Sequence, residues 1–242
     1  RVRGTNEPLY TLNIIDDIMS VAEVMKVAKS YNATITEYLN SVLLYALLQK
    51  QDAAHPLHYY PVKIAMPVNL RRFFPSKTLR NFITMIYPSI DPRLGDYTFP
   101  EITEQVHHFM QYVINEKFLR GDITTNAATQ RNTAIRVVPL FLKDLVVRTF
   151  YARVQDKNSS AGLTNMGALK VPPDMAPYLE RFDIYMGQPF SSRTNCAIVS
   201  FQDTLTINFA SSIQESDVER YFFQKLVQDG IHVTIESNRT EV

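Results

Sequence analysis

Apolar and polar residues alternate from Leu9 to Ile15, which puts Tyr10, Leu12 and Ile14 on one face and predicts a strand. Ser20 with Glu23 has the spacing of a capping box, in which a side chain and a backbone N–H satisfy each other at a helix start. Val21, Val24, Met25 and Ala28 follow at helical spacing. Thr34 with Glu37 opens a second helix, whose apolar side carries Tyr38, Val42 and Ala46 beside Leu39, Leu43 and Leu47. Val62, Ile64, Met66 and Val68 alternate cleanly as a strand. A loop with Pro75 leads to an apolar strand from Phe82 to Tyr87, with Pro88 and Pro92 at its exit. Thr98 and Glu101 form a third capping box, Pro100 fits the first turn, and Ile102, Val106, Phe109 and Val113 line the helix.

The second half predicts a long helical stretch from about Asn126 to Val154, with Ile135, Val138, Leu142, Leu145 and Thr149 inward and Pro139 kinking it. Gly162 to Gly167 brackets a short strand, and the Pro-rich Lys170 to Pro177 is a loop. Phe182 to Met186 reads as a strand. Cys196–Phe201 and Leu205–Phe209 read as a hairpin around Asp203. Val218, Phe222 and Leu226 mark a last helix ended by Gly230, and Ile231, Val233 and Ile235 a last strand. No repeat or linker divides the chain. The order predicts one domain, residues 1–242, built as an α/β (α+β) two-layer sandwich: a mixed sheet with helices mainly on one face.

Composition narrows the function classes. The 25 Lys+Arg and 24 Asp+Glu nearly cancel, so no global field favours nucleic acid or an anionic membrane. Cys196 is the single cysteine, which excludes an intrachain disulfide and fits a reducing, cytoplasmic setting. The five histidines show no metal-ligand spacing, and no glycine-rich phosphate cradle is present. The longest strongly apolar run, Val42 to Leu48, is far short of the roughly 20 residues of a membrane span. The chain starts Arg-Val-Arg-Gly, without an initiator Met or signal-peptide core, and we expect a longer parent.

Three segments in order carry a resemblance: SYNATITEYLNSVLLYALLQKQ (Ser30 to Gln51), MPVNLRRFFPSKTLRNF (Met66 to Phe82) and AGLTNMG (Ala161 to Gly167), followed by a hairpin, a helix and a strand. This succession resembles the C-terminal half of the CoA-dependent acyltransferase superfamily, closest to its condensation-domain and alcohol-acetyltransferase branch, with a chloramphenicol-acetyltransferase-like fold. The resemblance implies a two-lobed protein whose reaction channel lies between the lobes. A HHxxxDG motif in the N-terminal lobe supplies the histidine base that deprotonates an alcohol or amine attacking a thioester. That motif is missing here. His107-His108 is the one HH pair, Tyr112 stands where the acid would be, and both rings are expected to diverge from the helix's apolar stripe into solvent. His232, alternating with Ile231 and Val233, has no acid at that spacing either.

The resemblance therefore implies a C-terminal lobe without catalytic residues, inactive alone, whose N-terminal lobe is absent. It implies no tightly bound cofactor and no metal. Acyl-CoA or a phosphopantetheine thioester is the co-substrate of the whole protein. Its partners are the missing lobe, a carrier protein, or a second copy associating through the exposed lobe interface. Asn69, Arg71 and Asn81 match the family's strand-end segment and either shape the channel or hold the lobes together, or else the two Asn bond turn backbone and Arg71 makes a salt bridge. Arg71, Arg72, Lys77 and Arg80 either meet phosphates or a carrier, or form a solvated loop. Thr164, Asn165 and Gly167 match the family's SN.G strand, with Thr for Ser. The hydroxyl is kept for an oxyanion role, or the segment is a strand packed closely at its Gly. Cys196 reads as a buried small hydrophobe. Two other classes compete with the acyltransferase: a non-catalytic condensation-like scaffolding module, and a hydrolase, which the lack of a GxSxG elbow disfavours.

Overall fold

The computed structural model of this chain describes residues 2, 4–54, 57–131, 139, 140, 144, 159–187 and 193–239. Its strands are β1 (Asn13–Ser20), β2 (Val62–Asn69), β3 (Ile83–Ile86), β4 (Ser89–Ile90), β5 (Ala161–Ala168), β6 (Thr194–Phe201), β7 (Thr204–Ser211) and β8 (Thr234–Ser237). Its α-helices are α1 (Val21–Ser30), α2 (Ile35–Ala53), α3 (Phe99–Val113), α4 (Glu116–Arg131) and α5 (Asp217–Gln228). The strands form one mixed sheet in the order β3-β2-β5-β6-β7-β1-β8, with β4 also on β2. β2, β5 and β6 run parallel, and the other pairings are antiparallel. This is the predicted sandwich.

The helical layer is organised around α2, which packs on both α3 and α5. Tyr38, Leu39, Val42, Leu43, Leu44 and Ala46 are all fully buried, as expected of a helix that is apolar on nearly every side. The Thr34–Glu37 capping box forms as predicted: the Thr34 hydroxyl accepts from the Glu37 N–H, and the Glu37 carboxylate from the Thr34 N–H at 2.8 Å. At α3 the Glu101 carboxylate likewise accepts from the Thr98 N–H and hydroxyl, both at 2.7 Å. The Ser20–Glu23 box forms only by half. Ser20 Oγ accepts from Ala22 and Glu23, but the Glu23 carboxylate turns to the His232 N–H at 2.9 Å. Asp203, in the β6–β7 turn, adds a second cap at this helix start. Its carboxylate accepts from the Ala22 N–H at 3.0 Å and the Ser20 hydroxyl at 2.8 Å. The predicted hairpin is present, with Gln202 at φ 53 in its tight turn, and Gly230 at φ 85 ends α5.

Four expectations shift. The first strand begins at Asn13, and Leu9 and Tyr10 are fully exposed, Tyr10 at φ 68. The acidic pair Asp16-Asp17 masks a strand that is interior to the sheet, flanked by β7 and β8. The helix after α3 begins at Glu116, ten residues before the predicted Asn126; Ile135, Val138, Leu142, Leu145 and Thr149 lie outside the described residues. Phe182–Met186 joins no strand ladder and is held by side chains instead. The last strand begins at Thr234, leaving Ile231 as a buried plug beneath the end of α5.

Candidate functional site at the carboxyl ends of the parallel strands

β2 and β5 pair in parallel through Ala65 and Gly162, so both end at the same side of the sheet. Asn69 closes β2 and pairs with Ile83 at the start of β3, which brings the loop from Leu70 to Phe82 to that side as well. The fold thus gathers Asn69, Arg71, Asn81, Thr164, Asn165 and Gly167 at one sheet end, where the open crevices of α/β sheets lie.

The side chains there do different work. Asn69 Oδ1 accepts from the Arg71 N–H at 3.0 Å. Arg71 makes no salt bridge among the described residues; its guanidinium donates to the carbonyls of Thr78 and Arg80 at 2.9 and 2.7 Å and holds the loop closed. Arg72, Lys77, Arg80 and Asn81 are exposed on that loop. Asn165 donates to Thr36 Oγ1 at 2.8 Å and accepts from the Gly167 N–H at 2.8 Å. Gly167 has φ 76, a left-handed turn that costs a side chain about 1 kcal/mol, and the β5–β6 register shifts there. Thr36 sits in the first turn of α2, so Asn165 points to the helical layer. By strand alternation Thr164 and Met166 point to the opposite face.

That opposite face is divided. Over β6, β7 and β1 it is sealed by residues 179–187. Ile184 N donates to Asn208 Oδ1 at 3.1 Å, Thr206 Oγ1 to the Phe182 carbonyl at 2.7 Å, and the Tyr185 hydroxyl to Asp16 Oδ2 at 2.8 Å. Asn208, fully buried, donates to Asp16 Oδ1 at 2.8 Å and Asp183 Oδ1 at 3.2 Å. Arg181 bridges Asp183 at 3.0 Å and Glu236 at 2.6 Å. Burial, then the bond to Asp16, raises the Tyr185 hydroxyl above its ordinary pKa, so it is held as a donor. Over β3, β2 and the end of β5 no described segment covers the face, while Met186 lies over Gly162 at the start of β5. Met66 touches Asn40 of α2, so Pro67 and its partner Met85 face away from the helices, as does Ile83. Ile83, Met85 and Met166 are 47, 39 and 58% exposed, and half-buried Thr164 is the hydroxyl among them.

The sealing network was not foreseen. Its signal was available in the Asp-Asp pair inside an apolar run, since buried carboxylates need donors. The histidines do not join the bare face. His107, expected in solvent, instead lies 3.3 Å from the buried Glu37 carboxylate, because the helix turns it toward the α2 N-terminus; His108 is exposed beside Glu104. His232 is exposed and pairs with Glu23. Cys196 is fully buried, and burial with nearby Asp17 and Glu219 pushes its thiol up, which removes it as a nucleophile. A wide surface depression of about 660 Å³ is lined by none of the gathered residues; Asp96, Glu101, Glu104 and His108 border it. No group of three metal-ligating side chains occurs among the described residues, and no described helix is long and apolar enough to cross a membrane.

No protein-family model and no curated protein matches this sequence. Solved structures do match in fold. The trichothecene 15-O-acetyltransferase TRI3 from Fusarium sporotrichioides superposes with a TM-score of 0.59 at 15% identity, over 94% of this chain and 48% of its own. The epimerization domain from the third module of tyrocidine synthetase B gives 0.55 at 11% identity, over 95% of this chain and 51% of its own. Vinorine synthase gives 0.50 at 11% identity, over 92% and 48%. The chain thus spans about half the length of these structures. Its own architecture, taken with these superpositions, gives it the chloramphenicol-acetyltransferase-like fold that these structures share.

Proposed function

We propose that this chain is the C-terminal lobe of an acyltransferase of the condensation and alcohol-acetyltransferase type, folded as one domain and forming one wall of a channel completed by a preceding lobe. The parent moves an acyl group from a CoA or carrier-protein thioester to an alcohol or amine. The observation that carries this reading is the divided sheet face: sealed by residues 179–187 over β6, β7 and β1, and uncovered by any described residue over β3, β2 and the end of β5, where Ile83, Met85 and Met166 are exposed beside Thr164. A face of that kind is what a second lobe covers. Thr164 offers a hydroxyl to the reacting carbonyl oxygen, and Asn165 and Gly167 fix the strand end that carries it. The histidine base belongs to the other lobe, so this chain alone is inactive. Arg72, Lys77 and Arg80 give the loop a cationic surface suited to thioester phosphates or an acidic carrier.

The test is thiol release from acyl-CoA donors by the longer gene product and by this chain, over a panel of alcohols and amines. Turnover by the longer product alone supports the proposal. No turnover by either, with donors presented as CoA and as carrier thioesters, favours a non-catalytic scaffolding module.

A further inference from the structure

Adjacent strand residues point to opposite faces, so Asp16 and Asp17 meet opposite fates. Asp16 belongs to the sealing network. Asp17 faces the helical layer, pairs in register with Ile207 on β7 and Ile235 on β8, and is fully buried. Among the described residues neither of its carboxylate oxygens has a well-formed hydrogen bond, and only the adjacent Ile18 N–H acts on it. α5 brings a second acid to this layer: Glu219 is 2% exposed, and its Oε2 also lacks a partner. The surroundings are aromatic, Phe209 of β7 meeting Phe222 and Phe223 of α5 at 5.1 and 5.6 Å between ring centres. The charges acting on Glu219 are those of Lys50 on α2, Arg239 and Asp217; Lys50 itself pairs with Asp217 at 3.4 Å. At Asp17 the Ile18 N–H is the one group favouring the charge.

An ionised carboxylate without donors in such a layer is far costlier than a protonated one. Burial accordingly pushes Asp17 up to about 8 and Glu219 up to about 7. We propose that Asp17 and Glu219 form a proton-operated clamp: α5 stays seated on the sheet while both acids are protonated, and loosens when they ionise. The native state holds protons that the unfolded chain has already released near its ordinary carboxylate values. The clamp is therefore complete below those values, weakens as pH rises, and is lost above about 8. Between those limits each such proton weakens seating by up to about tenfold per pH unit.

Hydrogen exchange of the full chain, corrected for intrinsic exchange, separates this clamp from general alkaline loosening. From about pH 6 to about pH 9, amides of Asp217–Gln228 are expected to lose at least about tenfold more protection than those of β6 and β7. Asp17→Asn keeps the shape and cannot ionise, so it should remove most of that difference. Glu219→Gln should remove the smaller share that Glu219 contributes and serves as the second variant if Asp17→Asn does not fold. Equal loss of protection in α5 and the sheet, or an unchanged pH profile in the variant that folds, overturns the clamp.

Discussion

Asn165 of β5 donates its side-chain amide to the Thr36 hydroxyl of α2 at 2.8 Å and, through its other atom, accepts from Gly167. One side chain thus ties the end of a strand to the start of a helix and shapes the turn that follows. Asn165→Ala removes both bonds and is expected to cost about 1–2 kcal/mol. Gly167→Ala adds a side chain at φ 76 and should cost about 1 kcal/mol. Urea unfolding of the two variants checks both values. In the longer product, Asn165→Ala should lower turnover more than it raises KM, because it disturbs the presentation of Thr164 rather than a binding surface.

Thr164 itself offers a sharper test. If its hydroxyl meets the reacting carbonyl oxygen, Thr164→Val in the longer product should lower kcat by about 10²-fold, the cost of one oxyanion donor, and Thr164→Ser should restore it. Equal activity of Thr164→Val and wild type would remove Thr164 from the chemistry.

The buried Asn208 serves two carboxylates and one backbone N–H at once. Asn208→Leu leaves Asp16 and Asp183 with fewer donors and Ile184 N–H without an acceptor. We expect a loss of about 2–4 kcal/mol and earlier proteolytic cleavage within residues 179–187. Cleavage elsewhere first would show that the segment is held by other contacts.

Bare apolar surface should be visible in solution. At tens of micromolar, this chain is expected to self-associate by sedimentation velocity, and the Ile83→Glu/Met85→Glu double variant to be monomeric with unchanged melting, since both positions are substantially exposed. A monomeric, unmodified chain counts against a covered lobe interface.

Much of this architecture could be read from periodicity and caps. The Val62–Val68 alternation, the Thr34–Glu37 box and the hairpin around Asp203 are local signals, and local hydrogen bonding realises them. The misplaced elements depend on distant partners. β1 carries two adjacent acids, and only Asn208 and Tyr185, far along the chain, make Asp16 tolerable in an interior strand. Phe182–Met186 has a strand's composition, but Asn208 and Thr206 satisfy its backbone without a ladder. At the candidate site, motif order picked out residues that the fold brings to one sheet end. The division of the face into sealed and bare halves comes from contacts across the fold, which spacing does not encode.

The cap that Asp203 supplies to α1 also dictates when the chain can finish folding. Asp203 reaches Ala22 across 181 residues, and β1 enters the sheet between β7 and β8. β1 and α1 therefore wait, as an unpaired edge and an incompletely capped turn, until the β6–β7 hairpin and β8 have been made. Closure of this sheet is a late, long-range event. Its rate, and the hazard of aggregation before it, are set by how long β1 and α1 stay unprotected before their partners arrive.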